Sequence, residues 1–72
     1  MHPDFEKILL FVQRFKKANA YEIARLFSDE KVNLTTFCQA WYMLHLLAEA
    51  KYIKETRNPF EYRVLRKKPH IK

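Results

Sequence analysis

A chain of 72 residues has room for one small domain whose core lies near the lower limit for independent stability. With 49 % hydrophobic and 15 % aromatic residues it is too apolar for a disordered segment, despite a net charge of +6. A single cysteine, Cys38, excludes an internal disulfide and fits a reducing compartment, and the absence of glycine removes Gly-rich phosphate loops and dinucleotide fingerprints, which argues against a nucleotide-binding enzyme.

Phe5, Ile8, Leu9, Val12 and Phe15 recur at helical spacing, with Pro3, Asp4 and Glu6 in the first turn and Lys16 and Lys17 assigned to the last, so the pattern predicts a first helix ending at about Lys17. Asn19 stands three residues before Glu22, a capping-box spacing, ahead of the apolar set Ile23, Ala24, Leu26 and Phe27. This predicts a second helix of about two turns. Ser28 to Lys31 break the pattern with turn-forming and charged residues, and Asn33 is placed to cap a third helix from Leu34 to about Ala50. Around that helix, successive ~100° steps put Phe37, Ala40, Trp41, Leu44, Leu47 and Ala48 on an apolar face, where Trp41 is expected to be buried. Thr35, Cys38, Gln39, Tyr42, His45, Leu46 and Glu49 fall on the other side.

Beyond Lys51 the periodicity changes. Tyr52 to Thr56 and Phe60 to Leu65 read as two strands around the turn Arg57-Asn58-Pro59, with Phe60, Tyr62 and Val64 alternating against Glu61, Arg63 and Leu65. Arg66 to Lys72 has no apolar pattern beyond Ile71 and is expected to be a mobile basic tail. Charge is strongly segregated: residues 1–50 carry six cations and six acids, while residues 51–72 carry eight Lys or Arg against two acids. A localised basic hairpin on a small domain is suited to a polyanion.

The segment from Ala40 to Ile53, Ala-Trp-Tyr-Met-Leu-His-Leu-Leu-Ala-Glu-Ala-Lys-Tyr-Ile, resembles the end of the recognition helix and the start of the wing in winged helix-turn-helix transcription regulators. Tyr21-Glu22-Ile23-Ala24 with Leu26-Phe27 similarly resembles the second helix of that family, and the likeness covers roughly residues 3 to 66. It departs at Lys51, where the family often has glycine, and at a wing turn without glycine. The exit from the third helix therefore calls for a non-glycine residue in a left-handed or irregular conformation.

The resemblance implies a mainly α fold with a small β-hairpin, a three-helix winged helix-turn-helix over residues 1–66 with a basic tail at 67–72. It also implies a sequence-preferring duplex-DNA regulator, the third helix in the major groove and the wing on the backbone. Carried over by position, Thr35, Thr36, Gln39 and Tyr42 become groove-facing candidates. Lys54, Arg57 and Arg63 become wing contacts to phosphate, and Arg66, Lys67 and Lys68 add a sequence-blind contribution. No Lys or Arg lies between Lys31 and Lys51, so the third helix lacks the commonest guanine reader and its preference is expected to be weak or A·T-leaning. The small size is that of stand-alone regulators of phage, archaeal-virus or plasmid type.

Other readings of the same residues are plainer. Cys38 has no neighbouring base to activate it, His2 and His45 lack metal-ligand spacing, and Asp29-Glu30 form a polar turn, so no catalytic residue, cofactor or metal is expected. The longest apolar run, Ile8 to Val12, is too short for a signal peptide or membrane span. The expected location is therefore cytoplasmic, on the nucleoid in a bacterial or archaeal cell. Apolar strips at Leu10/Phe11 and at Tyr42, His45 and Leu46 point to a homodimer. The competing functions are a winged-helix module for protein–protein interaction and a replication or recombination accessory factor.

Overall fold

The computed structural model describes residues 2–28 and 31–65. Three helices and a small antiparallel sheet follow in the order α1 (Pro3–Phe15), β1 (Lys17–Asn19), α2 (Ala20–Phe27), α3 (Leu34–Glu49), β2 (Ile53–Glu55) and β3 (Glu61–Val64). The expected tail from Arg66 onward and the Asp29-Glu30 turn lie outside the described residues.

Local chemistry accounts for where the helices begin. Pro3 opens α1, where its missing N–H costs nothing, and the His2 imidazole Nδ1 accepts the Asp4 N–H at 3.0 Å. At α2 the Asn19 carboxamide accepts the Glu22 N–H at 2.8 Å while the Glu22 carboxylate accepts the Asn19 N–H at 3.0 Å, so the capping box forms reciprocally. The same device starts α3: Asn33 Oδ1 accepts the Thr36 N–H at 2.9 Å and Thr36 Oγ1 accepts the Asn33 N–H at 3.0 Å.

The ends of α1 and α3 use lysines where glycine is usual. Helix α3 closes in a Schellman arrangement, with the Tyr52 N–H donating to the Leu47 carbonyl and the Lys51 N–H to that of Ala48, both at 3.0 Å. This requires Lys51 to be left-handed, at φ 73°, which meets the expectation that a non-glycine residue carries this exit. Helix α1 ends at Phe15, the last of its periodic apolar residues and short of the expected end at about Lys17. Lys16 turns left-handed at φ 75°, and Lys17 leaves the helix to enter a strand.

That strand corrects the element order read from sequence, which passed from the first helix directly to the second. Sheet order is β1-β3-β2, and β3 is central, with Lys17 opposite Arg63 on one side and Lys54 opposite Arg63 on the other. The β1–β3 ladder is extended at both ends, by the Val64 N–H to the Lys16 carbonyl at 3.1 Å and the Ala20 N–H to that of Phe60 at 2.9 Å. The C-terminal hairpin is thereby tied to the junction between α1 and α2.

Ile8 and Val12 of α1, Ala18 of β1, Ala20, Ile23 and Ala24 of α2, Ala40, Leu44 and Leu47 of α3, Ile53 of β2 and Tyr62 of β3 form one core. Every element supplies at least one member, so burial of this apolar set is what couples the short sheet to the helices. Tyr62 is the largest fully buried side chain. Burial pushes its phenol above the ordinary value, and a hydrogen bond from the Trp41 indole N–H acts in the opposite direction. Among the described residues, no helix is long and apolar enough to cross a membrane.

Candidate nucleic-acid interface

In the sheet, alternate residues of each strand point to opposite faces. Ala18, Ile53 and Tyr62 face the helices and are buried, whereas Lys17, Lys54 and Arg63 are exposed. Because both lysines are register partners of Arg63, the three cations form a row across β1, β3 and β2. Two strand spacings make that row span about 10 Å between its outer backbones. Like charges placed directly opposite each other destabilise a free sheet, so the row is an electrostatic cost that a bound polyanion would offset. Lys16 and Arg57 border the same shallow cleft, giving, among the described residues, five cations against the two acids Glu55 and Glu61.

Glu61 is tied to the hairpin turn. Its Oε1 accepts the Thr56 hydroxyl at 2.6 Å and the Asn58 carboxamide N–H at 2.9 Å, and Oε2 lies 3.8 Å from the Lys17 ammonium. These hydrogen bonds, first from Thr56 and then from Asn58, hold its carboxyl below the usual carboxylate range, against the opposing effect of burial and with added help from Lys17. The Thr56 hydroxyl also accepts the Asn58 N–H at 3.1 Å, so Thr56, Asn58 and Glu61 fix the backbone on both sides of Arg57.

The turn is docked onto α3 by Phe60. This residue, left-handed at φ 63°, stacks edge-on to Phe37 at 5.1 Å and to Trp41 at 5.3 Å between ring centroids. Trp41 thus meets Phe60 through its ring and Tyr62 through its N–H, and part of the indole stays open. It is 41 % exposed, which corrects the expectation that it is buried.

On α3, Thr35, Gln39 and Tyr42 are exposed at spacings of four and three residues and share one face. Thr36 has a different position: its hydroxyl accepts from the Asn33 N–H and donates to the Asn33 carbonyl, each at 3.0 Å, and serves the helix cap. Nearby, Cys38, Trp41, Tyr42 and His45 line an apolar groove, with His45 Nε2 3.8 Å from the Glu49 carboxylate. Among the described residues no group of three His, Cys, Asp or Glu side chains is arranged to hold a metal ion.

The structure thus brings Lys54, Arg57 and Arg63 together, as their positions in the hairpin suggest, and adds Lys16 and Lys17, which sequence reading assigned to the end of a helix. The only sequence signal for those two was the triplet Lys17-Ala18-Asn19, one apolar residue between polar ones, too short to reveal a strand. Arg66, Lys67 and Lys68 lie outside the described residues. No protein-family model, curated protein or solved structure matches the chain.

Proposed function

We propose that the chain is a DNA-binding protein of winged helix-turn-helix type, a regulator that engages duplex DNA through the basic hairpin and the N-terminal half of α3. The carrying observation is the contact of Phe60 with Phe37 and Trp41, which fixes the hairpin bearing Lys54, Arg57 and Arg63 against the helix bearing Thr35 and Gln39. Phosphate-binding cations and uncharged hydrogen-bonding side chains then belong to one rigid unit, the division of labour by which proteins position themselves on a backbone and read base edges. Gln39 can pair bidentately with adenine, Thr35 can meet a base edge or a thymine methyl, and Thr36 sets the start of the helix.

The test is a titration of random-sequence duplex DNA at increasing salt, followed by selection of bound sequences from a random pool. Counterion release predicts a linear fall of log affinity with log salt, and base reading predicts an enriched site, palindromic for a dimer. Salt-independent or absent duplex binding would contradict the proposal. The apolar groove formed by Cys38, Trp41, Tyr42 and His45 favours a second reading, in which α3 docks a protein. On that reading duplex affinity is negligible and substitution of Tyr42 abolishes partner binding.

A further inference from the structure

We propose that the phosphate-binding surface continues beyond the hairpin, across β3 and onto β1, with Lys16 and Lys17 as phosphate contacts of the same standing as Lys54 and Arg63. The proposal rests on the duplex-binding reading above and extends it to two residues at the far edge of the sheet.

Register is the first argument. Lys17 stands opposite Arg63 as directly as Lys54 does, and the three ammonium and guanidinium groups share the exposed face. A hairpin acting alone would need only the Lys54–Arg63 pair. Placing a third like charge on the other flank of Arg63 raises repulsion in the free protein, and among the described residues Lys17 has one acid within ion-pair distance, Glu61 at 3.8 Å, whose nearer bonds go to Thr56 and Asn58.

The backbone of Lys16 supplies the second argument. It holds a left-handed conformation that glycine adopts freely and a β-carbon resists, yet the position is lysine. Its carbonyl accepts the Val64 N–H at 3.1 Å, which anchors the base of the side chain to the central strand, and the residue borders the cationic cleft. Favourable interaction of a cation with a helix C-terminus is one reason for a lysine there. Lys51 is left-handed at the end of α3 in the same way but is not among the cleft residues, so the turn alone does not mark a phosphate contact and what distinguishes Lys16 is its place at the cleft.

The experiment measures affinity for a random-sequence duplex from 50 to 200 mM salt for the parent, Lys16→Gly, Lys17→Gln, their double variant, Lys51→Gly and Arg63→Ala, with a thermal melt of each. Each lost phosphate contact flattens the log–log slope by about 0.9, so the affinity drop over this fourfold salt range becomes ~3.5-fold smaller per contact and ~12-fold smaller for the double variant. Lys51→Gly is expected to keep the parent slope, and both glycine variants should melt no lower than the parent because the left-handed strain is relieved.

A double variant with the parent's slope, beside a flattened slope for Arg63→Ala, overturns the extension while leaving the wing as the contact surface. A parent protein without salt-dependent duplex binding overturns both. A slope flattened as much by Lys51→Gly as by Lys16→Gly would also refute the proposal, since the loss would then follow net charge and not position.

Discussion

Truncating Leu44 to alanine removes a side chain that is 0 % exposed at the centre of α3, packed within the cluster that includes Ile8, Val12, Ile23 and Tyr62. The lost transfer free energy and the residual cavity together cost about 2–5 kcal/mol for such a site. A domain of 72 residues has a total stability of about 4–11 kcal/mol at the usual per-residue range. Since each kcal/mol shifts the melting temperature of so small a domain by about 4–8 °C, Leu44→Ala should melt roughly 8–40 °C below the parent. Leu44→Asp places an unpaired carboxylate at the same point and should abolish cooperative folding. The internal control is Tyr42→Ala on the same helix, which deletes more atoms from a residue 61 % exposed and should change stability by under about 0.5 kcal/mol. Thermal melts followed by circular dichroism read all three. Equal shifts for Leu44→Ala and Tyr42→Ala, or a cooperative melt of Leu44→Asp near the parent temperature, would refute the packing described for α3.

Further outcomes follow from the proposed interface. Arg57→Ala with Arg63→Ala should weaken binding to every duplex and flatten the salt slope by about two units, whereas an unchanged slope would remove the hairpin from the contact surface. Gln39→Ala should relax preference at one base position by ~1–3 kcal/mol if its contact is bidentate, with little effect on non-specific DNA, and selected sites identical to the parent's would exclude it as a base reader. Glu61 combines two effects that substitutions separate. Glu61→Gln removes a negative charge from the cationic cleft and should raise duplex affinity, while Glu61→Ala also releases Thr56 and Asn58 and should show less gain or a loss, a difference visible in binding titrations of the two variants. Because the folded-state pKa of Glu61 is depressed, its ionised form contributes stability above the usual carboxylate range that is lost as pH falls through the lowered value. The gap in melting temperature between parent and Glu61→Gln should therefore narrow on acidification, and a gap that widened would give this linkage the wrong sign.

What the sequence disclosed depended on how local each signal was. The helix starts at Asn19 and Asn33 were legible because a capping side chain and its partner lie three residues apart. The hairpin was legible because Phe60 to Leu65 alternates beside a proline-containing turn. Strand β1 was not, because three residues cannot display a period and its partner, Arg63, is at the opposite end of the chain. Its omission also hid Lys16 and Lys17, which helical spacing and the helix dipole accommodate equally well. The left-handed turn at Lys16 carried no glycine to mark it. Trp41 was misjudged for a related reason: the helical wheel places it on the apolar face, but the turn residue Phe60 that packs against its ring leaves part of the indole open. The cross-strand charge row depends wholly on register, a property that emerges only when β3 is central.

The central claim is that duplex DNA lies against the outer face of the sheet and the polar face of α3. Amide chemical shifts of the isotopically labelled protein, followed while a short duplex is added, test it most directly. The account predicts perturbations centred on Lys16, Lys17, Lys54, Arg57 and Arg63 and reaching Thr35 and Gln39, with Leu10 on α1 unaffected. Shifts confined to the groove formed by Cys38, Trp41, Tyr42 and His45, or no shifts at all, would contradict it.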